Sequence, residues 1–289
     1  MKKIPFNWYN TNGSKIHAQL WQSENKLEIK GVICLVHGLG EHIGRYEHFA
    51  RFFVNNNYVV IACDLLGHGQ SEGRRGHVGS FNQFYEQIDR LLEEASKRFP
   101  GEPKFIYGHS MGGNIVLNYA IARSPRVLGI VLSAPWLRPA MEVPASKIAL
   151  TKIATVLLPW YFESNGIDIN QLSRDNAVCE AYQKDPLVHD KISARLFMSI
   201  TEQAEFATHN YSQLRVPVLL MHGTADGLTS YQASEEFASA AKGKVEFKSW
   251  PGFFHELHNE PEQNEVFDFV LNWIDSKLQH STSIGQLKS

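Results

Sequence analysis

Residues 104–113 read Lys-Phe-Ile-Tyr-Gly-His-Ser-Met-Gly-Gly, and the fold follows from this stretch. An apolar run, Phe105-Ile106-Tyr107, ends in Gly108-His109-Ser110-Met111-Gly112, a G-x-S-x-G motif. An amphipathic helical segment carrying Ile115, Val116, Leu117, Tyr119 and Ala120 follows at once. Strand, tight turn and helix in that order are the context a nucleophile elbow requires. So sharp a turn strains the serine backbone. Glycines at 108, 112 and 113 remove side chains that would clash there and let strand and helix approach closely. Ser110 then projects from the carboxyl edge of a sheet, with the Met111 amide at a helix N-terminus. The motif alone is common by chance, and a plain N-cap serine after a glycine turn is the alternative. Its flanks favour the elbow.

Working outward, the chain alternates. Residues 6–9 and 15–21 form a hairpin around Thr11-Asn12-Gly13-Ser14. Residues 31–37 are a continuous apolar run, as expected of a strand buried on both faces, and end in the glycine loop His37-Gly38-Leu39-Gly40-Glu41-His42. A helix over 46–56 carries Phe49, Phe52 and Phe53 on one face; a second buried strand follows over 58–63, then a long helix from about 80 to 99, stopped by Pro100-Gly101. After the elbow come a strand over 128–132 and, from 216, a strand, a helix over 231–241, a strand over 245–250 and a last helix near 262–278. Such alternation implies an α/β fold, a mostly parallel sheet with helices on both faces and an antiparallel start. The pattern lapses over 134–211, where prolines and aromatic residues collect, so this region is expected to be a helical lid inserted over the sheet. The core is then 1–133 and 212–279, with 280–289 as a polar, frayed tail.

The bulk properties narrow the field. At 289 residues, 43% hydrophobic, 20% charged and with a formal net charge of -2, the chain reads as a soluble globular protein without the basic tract that nucleic acid would attract. No secretory signal follows Met1-Lys2-Lys3, and no window approaches a membrane span. Cys34, Cys63 and Cys179 lack metal-ligand spacing, and Cys34 and Cys63 sit in apolar runs, which suits buried thiols in a reducing, cytoplasmic setting. Thirteen histidines show no H-E-x-x-H spacing. Neither metal nor cofactor is expected.

A serine hydroxyl at its ordinary pKa needs an adjacent base, itself oriented by a third group. In α/β hydrolases these follow in the order Ser, acid, His, each after a later strand. Met221-His222-Gly223-Thr224-Ala225-Asp226 places an acid past one strand, and Pro251-Gly252-Phe253-Phe254-His255 places a histidine past the next. The expected roles are Ser110 as nucleophile, His255 as general base then acid, and Asp226 as the group that fixes the imidazole. Asp226 as a turn residue, and His258 in place of His255, are the rival readings. Asp64 ends a strand but precedes the nucleophile, the wrong order. His37, His68, His109 and His222 flank glycines and are expected to bond loop backbone. The oxyanion hole needs two amides in place beforehand, expected from Met111 and, in the early glycine loop, Leu39.

Taken together, H-G-L-G-E-H-I-G-R-Y at 37–46, D-L-L-G-H-G-Q-S-E-G at 64–73, the motif at 108–113, Thr224-Ala225-Asp226 and His255-Glu256-Leu257-His258 resemble the monoacylglycerol lipase and lysophospholipase family across nearly the whole chain. The resemblance implies an α/β-hydrolase fold whose lid guards an acyl tunnel. It implies cleavage of a single-chain acylglycerol to fatty acid and glycerol. By matching positions, Glu41, Arg45 and His258 would line a polar cavity at the glycerol end, with the lid residue Tyr182 beside them; a structural Glu41–Arg45 ion pair is the competing reading. Lysophospholipase, broad carboxylesterase and a peptidase or acyltransferase on the same fold remain as alternatives, as does a non-catalytic lipid-binding protein. The stretch 148–160, IALTKIATVLLPW, is apolar enough for transient contact with a membrane surface, or for packing the lid on the core.

Overall fold

The computed structural model describes residues 1–25, 28–158 and 160–286. The chain opens with β1 (Lys2–Tyr9) and β2 (Lys15–Gln22), a hairpin whose register closes at Tyr9 opposite Lys15. Then follow β3 (Gly31–Val36), α1 (Glu47–Asn55), β4 (Tyr58–Cys63), α2 (Asn82–Arg98), β5 (Lys104–His109), α3 (Met111–Arg123) and β6 (Gly129–Ser133). The chain leaves the sheet here for α4 (Ala145–Leu157), β7 (Phe162–Ser164), α5 (Asn176–Lys184), β8 (Lys191–Ser193) and α6 (Ala194–Asn210). It returns with β9 (Val218–Gly223), α7 (Tyr231–Ala240), β10 (Val245–Trp250) and α8 (Gln263–Gln286).

The main sheet has eight strands in the order β1-β2-β4-β3-β5-β6-β9-β10. β1 and β2 are antiparallel; from β4 onward every neighbour is parallel. Every residue of β3, β4, β6 and β9 is buried, which is why these strands read as unbroken apolar runs. The two-residue period splits their side chains between two cores. Val32, Cys34 and Val36 of β3 join α2, α3, α6 and α7 on one face, whereas Ile33 and Leu35 join the α1 phenylalanines Phe49 and Phe53 and α8 on the other.

Two expectations from the sequence are revised. The helix after the elbow is not amphipathic: α3 is buried on every side from Met111 to Ile121, because α6 of the inserted segment covers the face that would otherwise meet water. Its two asparagines are accommodated inside, Asn114 donating to the carbonyls of Trp136 and Ile200 and Asn118 to that of Asn114. The last helix also runs on to Gln286, into the stretch expected to be a tail; residues 287–289 lie outside the described residues.

Because β3, β5, β6, β9 and β10 are parallel, their carboxyl ends share one edge. The loops leaving β3, β5, β9 and β10 carry the glycine loop, Ser110, Asp226 and His255. Topology alone brings together residues separated by more than two hundred positions.

Candidate active site

Ser110 sits at φ 54° and ψ -119°, a backbone conformation that L-residues seldom occupy. Neighbours over-determine it. Its amide donates to Ser133 O at 3.0 Å, and its carbonyl accepts from the amides of Asn114 and Trp136, both at 3.0 Å. The flanking glycines are a steric requirement. A Cβ on Gly112 would stand 2.3 Å from Val36 O, and one on Gly108 would stand 2.7 Å from Gly112 O. The turn therefore closes only with hydrogen at both positions.

His255 Nδ1 donates to Asp226 Oδ2 at 2.7 Å. The carboxylate of Asp226 collects five donors: His255, His222 Nε2 at 2.9 Å and the Thr229 hydroxyl at 2.8 Å on Oδ2, with the amides of Leu228 and Thr229 on Oδ1. Burial would raise its pKa, but the imidazole of His255 and these hydrogen bonds overcome burial and hold the carboxyl far below the ordinary range. For His255, burial favours the neutral ring, yet Asp226 wins and its pKa lies above the ordinary histidine value. With Nδ1 committed to Asp226, Nε2 is the nitrogen left for chemistry. Neither it nor Ser110 Oγ has a hydrogen-bond partner among the described residues.

The amides of Leu39 and Met111 likewise have no acceptor among the described residues. The glycine loop is held from within: Glu41 Oε1 accepts from Gly38 N at 2.6 Å and from the Tyr46 hydroxyl at 2.7 Å. Arg45 donates to Glu41 at 2.8 Å and, through both Nη atoms, to Glu256. Both carboxylates are buried, and the Arg45 side chain is only 9% exposed. Burial opposes every charge, but the pairing prevails, and both carboxyls are held below their usual range. Tyr182, from the inserted segment, lies under the Arg45 guanidinium at 4.7 Å. His258 is fully buried, stacked on Tyr46 at 4.5 Å and edge-on to His109 at 4.8 Å, and neither ring nitrogen has a protein partner among the described residues. Burial, then the neighbouring His109, keeps its ring neutral.

Of the four glycine-flanking histidines, three bond backbone as expected: His37 to Gly38 O, His68 to Leu66 O and His109 to Ser133 O. His222 does not. It spans Ser234 Oγ and the carboxylate of Asp226. His222, Thr229 and Glu256 are the site residues that sequence reasoning missed. Their signal was proximity, since each lies within four positions of Asp226 or His255.

The inserted segment is bonded to this edge. The Glu256 amide donates to Leu172 O, the Ser173 hydroxyl to Asn259 O, and the His189 amide to Gly40 O. His42 Nε2 meets Asp185 Oδ2 at 2.9 Å. By contrast, α4 buries no residue: Leu150, Val156 and Leu157 are 67%, 80% and 68% exposed.

The sequence profile of the family described as serine aminopeptidase, S33, matches residues 27–262. A monoacylglycerol lipase of Mycolicibacterium smegmatis is 34% identical over 92% of this chain and 95% of its own length. The chain belongs to the monoacylglycerol lipase family of α/β hydrolases. Phospholipase YtpA of Bacillus subtilis is 31% identical over 89% of this chain and 99% of its length. An uncharacterized abhydrolase domain-containing protein of Dictyostelium discoideum is 34% identical over 89% of this chain but only 27% of its own length. Among solved structures, the monoacylglycerol lipase of Paleococcus ferrophilus superposes with a TM-score of 0.81 at 33% identity, covering 96% of this chain and all of that one. Among the described residues, no helix is long and apolar enough to cross a membrane.

Proposed function

We propose that this chain is a serine carboxylic ester hydrolase that cleaves monoacylglycerols to fatty acid and glycerol. The observation that carries the reading is the 2.7 Å bond from His255 Nδ1 to Asp226, on the sheet edge where Ser110 is held in the strained elbow. In this reading, His255 Nε2 takes the proton of Ser110 as Oγ attacks the ester carbonyl, and then delivers it to the departing glycerol oxygen. Water, activated by the same nitrogen, hydrolyses the acyl-enzyme. Asp226 keeps the ring in the productive tautomer and stabilises the imidazolium. The amides of Leu39 and Met111 receive the oxyanion, each worth ~3–4 kcal/mol of barrier reduction.

Residues 134–211 act as the lid over a core of 1–133 and 212–279. Glu41 and Arg45 hold the glycine loop that presents Leu39, with Tyr182 and His258 packed behind them. The bare apolar face of α4 is the part that meets a membrane surface, which its exposure supports. The buried free thiols of Cys34, Cys63 and Cys179 suit a cytoplasmic setting with peripheral membrane contact.

The test is fatty-acid release from matched-chain monoacylglycerol, lysophosphatidylcholine, diacylglycerol and p-nitrophenyl ester, with an amino-acid p-nitroanilide alongside and Ser110→Ala as the blank. Monoacylglycerol turned over best, with a dead blank, is the expected result. Turnover of the activated ester alone, or of the anilide alone, would contradict the substrate class.

A further inference from the structure

Leu39, whose amide is the proposed oxyanion donor, stands between two glycines, the residues with the freest backbone dihedrals. The direction of its N–H is therefore set by whatever clamps those glycines. On the core side, Gly38 N donates to Glu41 Oε1 at 2.6 Å. On the other side the clamp belongs to the inserted segment, where the His189 amide donates to Gly40 O at 2.9 Å. Gly40 has a φ of 78°, and a Cβ on it would stand 2.5 Å from His189 O and 3.2 Å from both Asn165 Nδ2 and the Tyr182 hydroxyl. Three residues of the inserted segment close on this one glycine.

Two positions further on, the same segment holds the loop again. His42 Nε2 donates to Asp185 Oδ2 at 2.9 Å. The ring has its own anchor in the loop: Nδ1 accepts from Gly44 N at 3.1 Å and so caps the 3-10 turn Ile43–Tyr46, which leaves Nε2 to carry the proton. Asp185 is equally committed. It ends α5, its Oδ1 accepts from Leu187 N at 2.9 Å, and its carbonyl accepts from Val188 N at 3.2 Å. That turn delivers His189 to Gly40. One carboxylate thus serves both contacts, Oδ2 holding the glycine loop and Oδ1 shaping the turn that supplies the second hydrogen bond.

An oxyanion donor contributes only if it is in place before charge develops. We propose that Asp185 is a positioning residue for the oxyanion hole, acting through His42 and the 185–189 turn to fix the Leu39 amide. The inference rests on the ester-hydrolase reading. It makes the base of the inserted segment part of the catalytic apparatus as well as a cover for it.

Steady-state hydrolysis of a soluble short-chain p-nitrophenyl ester tests it, with Ser110→Ala as the blank. A trifluoromethyl ketone probes the oxyanion hole: Ser110 Oγ adds to its carbonyl carbon, the serine proton passes to His255 Nε2, and the carbonyl oxygen becomes the oxyanion. Asp185→Ala and His42→Asn each cut one side of the link, and asparagine keeps the cap on Gly44 N without reaching Asp185. Both should lower kcat by about 10–100-fold with KM within about twofold, and weaken inhibition by the ketone by the same factor as kcat. His42→Gln, whose amide nitrogen reaches Asp185 but forfeits the cap, should recover most of the loss. Lys184→Ala removes an exposed side chain paired with Glu180 and should leave both constants unchanged. Full kcat in both link variants, a loss confined to KM, a kcat loss the ketone does not share, or an active His42→Asn beside an impaired His42→Gln would overturn the inference alone. A parent chain that hydrolyses no ester, or turnover that survives Ser110→Ala, would overturn the hydrolase reading and this inference with it.

Discussion

The Arg45 guanidinium grips the carboxylate of Glu256, Nη1 on Oε1 at 2.5 Å and Nη2 on Oε2 at 2.7 Å. Arg45 follows the glycine loop and Glu256 follows His255, so one bidentate pair joins the loop offering the Leu39 amide to the loop carrying the imidazole. Glu41 extends the link to the Gly38 amide. The oxyanion donor and the proposed base are thereby held at one spacing.

Removing the cation should be severe. Arg45→Ala would leave Glu41 and Glu256 buried without their partner, a loss of about 3–5 kcal/mol, read as a fall in Tm on the order of 10 °C. Arg45→Lys should rescue only in part, since an ammonium cannot make the fork. Thermal denaturation checks both, and a change under 2 °C for the alanine variant would contradict a joining role.

The acid limb of kcat/KM should report His255, which must be neutral to accept the serine proton. Asp226 raises its pKa over the opposing effect of burial, so activity should fall as pH drops through a value above the ordinary ~6.5. Asp226→Asn removes the charge that raises it. The limb should then move to lower pH, and kcat should drop by about 10⁴. A limb that stays put would mean another group titrates there.

His222 supplies Asp226 Oδ2 with its second nitrogen donor. His222→Leu deletes this bond, concentrates charge toward His255 and should shift the acid limb upward while lowering kcat more than KM changes. His222→Gln can donate from the same direction and should restore most of the loss. Equal damage from both would reduce His222 to packing.

The bare face of α4 gives a separable test. Val156→Ser with Leu157→Ser should leave Tm within about 1–2 °C, as both residues are largely exposed. Release from vesicle-borne monoacylglycerol should fall severalfold, with a soluble short-chain ester unaffected. Equal loss on both substrates would argue against membrane contact.

The sheet and the three residues of the proposed triad were legible in the sequence because their signals are local. Buried strands are unbroken apolar runs, and Gly108, Gly112 and Ser110 declare a turn that no other residues could close. Networks formed across the fold were not legible. Glu256 is unremarkable beside His255 until the topology sets Arg45 against it, and His222 resembles its glycine-flanking neighbours until the turn after β9 folds it onto Asp226. The burial of α3 on all sides depends on α6, more than seventy residues later. For α4, the sequence offered packing of the lid and membrane contact alike; the helix packs along α6 while leaving Leu150, Val156 and Leu157 exposed, so the two readings stand together.

The most direct test of Ser110 as nucleophile is the intact mass, then the peptide map, after treatment with a fluorophosphonate. One adduct per chain, located on Ser110, absent in Ser110→Ala and formed at least a hundredfold more slowly in His255→Ala is expected. No adduct, or one on another residue with Ser110→Ala still labelling, would contradict the proposed active site.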